Sequence, residues 1–329
     1  MNNKVFVTPE PLKSPVLFLV FNRPDTTRRV FEAIRQAQPS QLFIAADGPR
    51  EGKSGEAEKC ADVRRIVHEG IDWDCEVKTL FRDKNLGCKV AVSRAIDWFF
   101  EHIEEGIILE DDCLPHPTFF RFCEELLNKY RDDERIGQIS GDNFQFGKKR
   151  TEYSYYFSRY NHIWGWASWR RTWKNYDVDM KSWPEIRDNG WLQDWLGNKK
   201  VVQYWMRIFE RVYQGEIDTW DYQWTFTCWI QNCLTVLPNV NLVSNIGFGS
   251  DSTHTAGVSM VADMTTAAME FPLVHPRVFI RDDKADERLS KLFFRMPSLI
   301  RRVAGRIKRF FFNGRITLIG CIGGWCNAL

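Results

Sequence analysis

Gly106-Ile107-Ile108-Leu109-Glu110-Asp111-Asp112 is an apolar run that ends in three adjacent carboxylates. It is too short for an ordinary helix and reads as a buried strand. A strand that delivers acids to its carboxyl end puts them where open α/β sheets bind ligands. Neighbouring carboxylates repel one another, so the cluster makes sense if a cation shares the site. Hard oxygen donors favour Mg²⁺ or Mn²⁺, ions that usually sit on substrate phosphates as well. The competing reading is a solvated acidic turn ahead of a helix starting near Pro117.

The sequence on the amino-terminal side alternates strand and helix signals. Val16 to Phe21 is a short apolar run closed by Asn22-Arg23-Pro24-Asp25, and Asp25 or Thr26 can cap a helix that turns Val30, Phe31 and Ile34 inward. Leu42 to Ala46 is a second strand, closed by Asp47-Gly48-Pro49, and Val77 to Phe81 a third, ending in Arg82-Asp83-Lys84-Asn85-Leu86-Gly87. Arg50 to Lys59 reads as a loop or a helix start, and a helix from Cys88 to about Ile103 leads into the acid-tipped strand. Strands alternating with helices predict an α/β fold with a mostly parallel sheet. Polar residues follow each strand, so they can line one nucleotide-sized crevice.

Beyond a helix at Phe119 to Tyr130 and a strand at Ile136 to Ser140, the character changes. Tyr153 to Trp173 is dense in aromatics, Trp183 to Phe209 reads as helical, a further helix reaches about Cys233, and Val236 to Val243 is extended. Asn245 to His254 is a Gly-rich loop that does not fit a P-loop. With 14 Trp and 24 Phe, most aromatics are core, although indole faces also stack on sugars.

From about Arg288 onward there is no acid, and basic residues interleave with apolar ones. That pattern reads as an amphipathic helix for an anionic membrane surface, or as a helix docked on the domain with its charges outward. The whole-chain charge of +2 carries no polyanion-binding signature, and no base-reading element accompanies the tail, so nucleic acid is not an expected partner. Nine scattered cysteines without C-x-x-C spacing argue against zinc and a disulfide framework. The start of the chain lacks a signal-peptide core, and no window reaches the ~18 apolar residues of a membrane span. The expected location is cytoplasmic, with the tail a candidate for peripheral attachment at the inner membrane face.

Five elements, in order, resemble the GT-A glycosyltransferases, specifically the group related to N-acetylglucosaminyltransferase I and its bacterial relatives. They are Glu110-Asp111-Asp112 with Phe119-Phe120, Gly141-Asp142-Asn143, Trp164-Gly165-Trp166, Trp220-Asp221-x-x-Trp224, and the loop from Gly247 to His254. The resemblance implies a Rossmann-like GT-A fold: residues 1–150 as the donor-binding half, 151–285 as the acceptor and catalytic half, and 286–329 as the tail. It also implies a metal-dependent enzyme, with Mn²⁺ or Mg²⁺, moving a sugar from a nucleotide-sugar donor, UDP first, to a glycan or lipid-linked acceptor with inversion.

On that resemblance Asp112 is the direct metal ligand, while Glu110 and Asp111 bond the donor sugar and ribose. Asn22 and Arg23 are candidates for the base, and Asp47 for base or ribose unless it serves its turn. Arg82 can approach the diphosphate or sit in a structural ion pair. Asp221 is the candidate general base, its alternative role being a helix cap, and Asp251 is second choice. His254 is a candidate metal or phosphate partner or a polar loop residue. Trp164 and Trp166 are acceptor-stacking candidates or core. Two rivals remain: a nucleotidyltransferase, disfavoured by Asn22-Arg23-Pro24-Asp25 where a Gly-rich activating loop is expected, and a non-catalytic carbohydrate-binding or membrane scaffold of the same fold.

Overall fold

The computed structural model describes residues 11–248, 261 and 263–294. Asp251, His254 and the tail beyond residue 294 lie outside them.

In the first half β1 (Val16–Val20), α1 (Pro24–Ala37), β2 (Gln41–Ala46), α2 (Glu56–Glu69), β3 (Glu76–Phe81), α3 (Gly87–His102) and β4 (Glu105–Glu110) alternate. Strands β1, β2 and β4 are buried along nearly their whole length, which is why they read as unbroken apolar runs. Helix α1 buries Val30, Phe31 and Ile34 as its periodicity predicts. Neither Asp25 nor Thr26 caps it. The helix starts earlier, at Pro24, whose fixed φ suits a first turn, and Arg23 stands at the cap position without a capping bond. The segment read as a loop or helix start at Arg50–Lys59 is a turn followed by the full length of α2.

The second half contains β5 (Cys113–Pro115), α4 (Thr118–Lys129), β6 (Ile136–Ser140), β7 (Tyr155–Ser158), β8 (Trp166–Trp169) and α5 (Arg170–Trp173). It continues with α6 (Trp183–Asp188), α7 (Trp191–Leu196), α8 (Lys199–Tyr213), α9 (Asp221–Ile230), β9 (Leu234–Pro238), β10 (Val243–Asn245) and α10 (Asp283–Phe293). The stretch from Trp183 to Phe209 is therefore three helices, broken at Gly190 (φ 70°) and Gly197 (φ 71°), which take the left-handed backbone that only glycine adopts readily. The extended segment is likewise two strands, separated at residues 239–242.

Eight strands form one sheet in the order β3-β2-β1-β4-β8-β6-β9-β7. The β3-β2-β1-β4 half is wholly parallel, and β6 pairs parallel with β9, whereas β8 and β7 run antiparallel to their neighbours. The fold is thus α/β with a Rossmann-like parallel half, consistent with the GT-A arrangement expected. Strands β5 and β10 make a separate antiparallel pair, Cys113 opposite Asn245.

Most of the described tryptophans are core, although Trp191 is exposed. Trp166, Trp169, Trp183, Trp205, Trp220 and Trp224 are fully buried, or nearly so, and join one continuous apolar cluster with the sheet. Helix α10 crosses the boundary drawn at residue 286 and is fastened to the domain. Ser158 donates to Asp286, Arg159 pairs with Asp286 at 3.3 Å, and Arg150 with Asp282 at 2.9 Å. Among the described residues no helix is long and apolar enough to cross a membrane.

Candidate active site

The chain builds β1, β2 and β3 outward in one direction, then returns to lay β4 on the other side of β1. Between β1 and β4 lies the switch point, where the loops leaving the two strands part and open a crevice. The register puts Leu19 opposite Glu110, so Phe21 to Arg23 on one strand and Asp111 to Asp112 on the other leave the sheet side by side.

These neighbours bond directly. The Phe21 amide donates to Asp111 Oδ2 at 3.1 Å. One guanidinium nitrogen of Arg23 lies 2.5 Å from Asp112 Oδ2 and 3.5 Å from Asp111 Oδ1. Burial and mutual repulsion raise the pKa of Glu110; burial also raises that of Asp111, against the pull of Arg23. Burial works against the Arg23 charge, but Asp111, Asp112 and Glu110 more than offset it, and the guanidinium is held firmly charged. The three acids thus lie close enough for each to oppose its neighbours' ionisation, and the one arginine only partly offsets this.

A tight polar shell positions this cluster. Asn22 donates to Glu56 Oε1 at 2.9 Å, and Glu56 accepts from the Arg50 amide at 2.7 Å and from its guanidinium. Hydrogen bonds from Arg50 pull the Glu56 carboxyl down to about 2 despite burial. The same guanidinium sits 5.6 Å over the Phe21 ring. Arg50 and Glu56 were not sequence candidates; they sit in a stretch with no apolar signal, and only the fold brings them to β1.

Asp47 faces inward onto the next turn. Its two oxygens accept from the Gly48 and Leu86 amides and from the Asn85 side chain at 2.9–3.1 Å. Burial raises its pKa, against those backbone bonds and the charge of Arg82. Asp47 therefore anchors the loop that carries Arg82 and starts α3, as its turn reading anticipated. Burial lowers the Arg82 pKa, with Asp47 opposing.

Asp221 is the first residue of α9, and Trp220 holds the cap position without a side-chain bond. The Asp221 carboxyl is buried, accepts from the Thr219 hydroxyl at Oδ1, and is raised to about 6, burial outweighing that bond. The Asp221 charge is among those opposing ionisation of Glu110. Of the two acceptor candidates, Trp166 is fully buried against Trp220 and Trp224, with ring centroids 5.7 and 5.6 Å away. Trp164 is also buried, edge-on to Phe248 at 5.8 Å. Both occupy core positions beneath the crevice, and neither offers an open indole face.

The remaining motifs form the floor. The Gly141 amide donates to the Gly165 carbonyl at 2.8 Å, and Asp142 Oδ2 accepts from the Trp164 amide at 3.0 Å. Phe119 lies against both glycines; a Cβ on Gly141 would crowd its ring, and one on Gly165 would crowd Val243. Strand β10 brings Ile246 and Gly247 onto the acids: the Ile246 amide donates to the Asp112 carbonyl at 2.8 Å.

Among the described residues, no group of three or more His, Cys, Asp or Glu side chains is arranged as a metal cage. The donor set still suits a hard cation. Its acids are hard oxygen donors whose crowding a bound cation would relieve, and Mg²⁺ or Mn²⁺ commonly takes only one or two carboxylates, completing its shell with phosphates and water.

Compared with protein-family models and with curated protein sequences, the chain matches none. Among solved structures it is similar in part to a mannosyltransferase, PcManGT from Pyrobaculum calidifontis in complex with GDP-Man and Mn²⁺. The identity is 16%, the TM-score 0.34, and the match covers 51% of this chain and 48% of that one. It is also similar to HddC from Yersinia pseudotuberculosis at 8% identity and TM-score 0.30, covering 50% of this chain and 80% of that one. A UDP-glucose pyrophosphorylase complexed with UDP-glucose aligns at 14% identity and TM-score 0.25, covering 44% of this chain and 62% of that one.

Proposed function

We propose that the chain is a metal-dependent glycosyltransferase that moves a sugar from a nucleotide sugar, UDP-linked first, to a hydroxyl of a glycan or lipid-linked acceptor. The observation that carries this reading is the acid cluster Glu110-Asp111-Asp112 at the switch point, with the Arg23 guanidinium on Asp112. Transfer must neutralise a departing diphosphate and remove a proton from the acceptor. Asp112 would hold Mn²⁺ or Mg²⁺, with Glu110 and Asp111 bonding the donor sugar and ribose, and the ion would supply positive charge to stabilise the leaving group. Arg82 is the cation for the donor diphosphate, and Asn22 and Arg23 contact the base. Asp221 takes the acceptor proton: a carboxyl raised to about 6 is ionised at neutral pH and more basic than an ordinary aspartate. A single base and direct displacement give inversion.

The test is release of nucleoside diphosphate and transfer of sugar from a panel of UDP-, GDP- and CDP-sugars, with and without Mn²⁺, to simple glycoside acceptors. Asp112→Ala is expected to abolish metal-dependent nucleotide binding. Asp221→Asn is expected to keep binding and lose turnover by about 10²–10⁴-fold, the usual range for a general base. Pyrophosphate formation from a nucleoside triphosphate and a sugar phosphate would instead identify a nucleotidyltransferase.

A further inference from the structure

The two edges of the sheet are finished differently. Along the β7 edge the chain itself returns. There the Ser154 amide donates to the Val274 carbonyl at 2.8 Å, the Asp282 amide to the Phe157 carbonyl at 2.8 Å, and Phe157 bridges to Arg281. The β3 edge carries nothing of the kind among the described residues, where β3 pairs with β2 alone. The Glu76 and Arg82 amides donate to the Ser40 and Ala46 carbonyls at the two ends of β2, at 2.9 and 3.0 Å. Backbone groups alternate in direction along a strand, so Lys78 and Leu80 point the same way. Val77, Thr79 and Phe81 then turn their amides and carbonyls outward.

The usual guards of an open edge are missing. Strand β3 has six residues in regular register, without proline or bulge. Its one lysine leans inward: the Lys78 ammonium lies 3.1 Å from Glu76 Oε1 and 5.4 Å over the ring of Phe43, the β2 residue opposite it. Val77 and Thr79 are exposed.

We propose that two copies of the chain join through β3, antiparallel about a two-fold axis at Thr79, so that one sheet runs on into the other. With the axis there, all three outward-facing residues are used. Thr79 faces Thr79, and Val77 faces Phe81 of the second copy, each as a hydrogen-bonded pair. Thr–Thr and aromatic–β-branched pairs are among the favourable cross-strand neighbours. The charges agree as well, Glu76 falling opposite Arg82 of the second copy and Lys78 opposite Leu80. An axis at Lys78 would set two ammonium groups face to face, and one at Leu80 would set Lys78 against Arg82. An axis at Val77 would pair only residues 76–78 within the strand. Each copy offers one such edge, so the assembly closes at two.

The experiment is analytical ultracentrifugation of the full chain over a wide range of concentration, with hydrogen exchange followed at single amides, for wild type, Thr79→Lys and Thr79→Pro. Wild type is expected to dimerise, the Val77, Thr79 and Phe81 amides exchanging more slowly as the dimer forms. Thr79→Lys puts like charges on the axis, and Thr79→Pro removes an outward amide and none that bonds β2. Both are expected to weaken the dimer at least about tenfold and to leave the monomer folded. A chain that stays monomeric overturns the proposal, as does a dimer that both folded variants keep at wild-type strength. The exchange arm needs no variant: a wild-type dimer whose Val77, Thr79 and Phe81 amides exchange as fast as in the monomer also overturns it.

Discussion

Gly247 is packed so closely on Asp112 that a Cβ at position 247 would lie 2.3 Å from Asp112 Oδ2 and 2.8 Å from its Cβ. The chain reaches this point through the β5–β10 pairing and the Ile246 amide, which donates to the Asp112 carbonyl, so neither backbone is free to retreat. Gly247→Ala must therefore push the Asp112 carboxylate out of its place beside Arg23. Overpacking of this kind costs about 1–3 kcal/mol. Nucleotide binding in Mn²⁺ is expected to weaken at least tenfold, with a lower melting temperature. Wild-type affinity in Gly247→Ala would show that the position of Asp112 does not matter to the site.

Glu56 and Arg50 make the second testable link, because they hold Asn22 and the end of β1. The folded Glu56 pKa is depressed, to about 2, below an unfolded value of about 4.3. A depressed carboxylate contributes stability that is present above the unfolded pKa and lost as pH falls through the folded one. Arg50→Ala is expected to cost about 1–3 kcal/mol at pH 7, the partial exposure of Arg50 keeping the loss below that of a fully buried pair. The deficit should shrink as the buffer is taken from pH 5 towards pH 2. Urea denaturation of both proteins across that range measures it, and a deficit independent of pH would assign the loss to packing of the arginine stem.

A close backbone approach gives the third. A Cβ on Gly48 would meet the Lys84 carbonyl carbon at 2.5 Å, and a main chain cannot swing aside as a side-chain tip can. Gly48→Ala is expected to separate the two turns that Asp47 ties together and to cost about 1–3 kcal/mol. Because Arg82 rides on the displaced turn, nucleotide affinity should fall too. An unchanged melting curve would mean the turns are not coupled as the Asp47 bonds indicate.

The parallel half was legible chiefly where its strands are buried on both faces, so Val16 to Val20 and Ile107 to Leu109 show as unbroken apolar runs. Strands β7 and β8 were not, since Tyr155 to Ser158 and Trp166 to Trp169 are four residues each within a stretch that is aromatic throughout. Burial there erases the alternation that marks a strand. At the site, Glu110 to Asp112 announced themselves through charge at the end of an apolar run. The bond from Arg23 to Asp112 and the commitment of Asp47 to residues 85–86 depend on contacts 38–89 positions apart, which no local pattern carries. The same blindness left Trp166 open between acceptor stacking and core, and the fold encloses it among three neighbouring indoles.

Asp221 separates catalysis from stability. Its folded pKa, about 6, lies above an unfolded value of about 3.9. Between those values the native state holds a proton that the unfolded chain has released, so wild-type stability falls as pH rises from about 4 through about 6 and stays lower above it. An upshift of this size is worth about 2–3 kcal/mol. Asp221→Asn keeps an oxygen for the Thr219 hydroxyl and removes the buried charge. It is expected to melt higher than wild type at pH 8, to match it at pH 4, and to transfer sugar at least a hundredfold more slowly. Wild-type kcat/KM should climb with pH to a plateau just above 6, the limb belonging to this carboxyl. Paired melting and pH–rate profiles test both halves. A variant that is stabilised at pH 8 yet turns over like wild type would leave Asp221 a buried acid with no part in proton transfer, and the base would have to be sought elsewhere in the crevice.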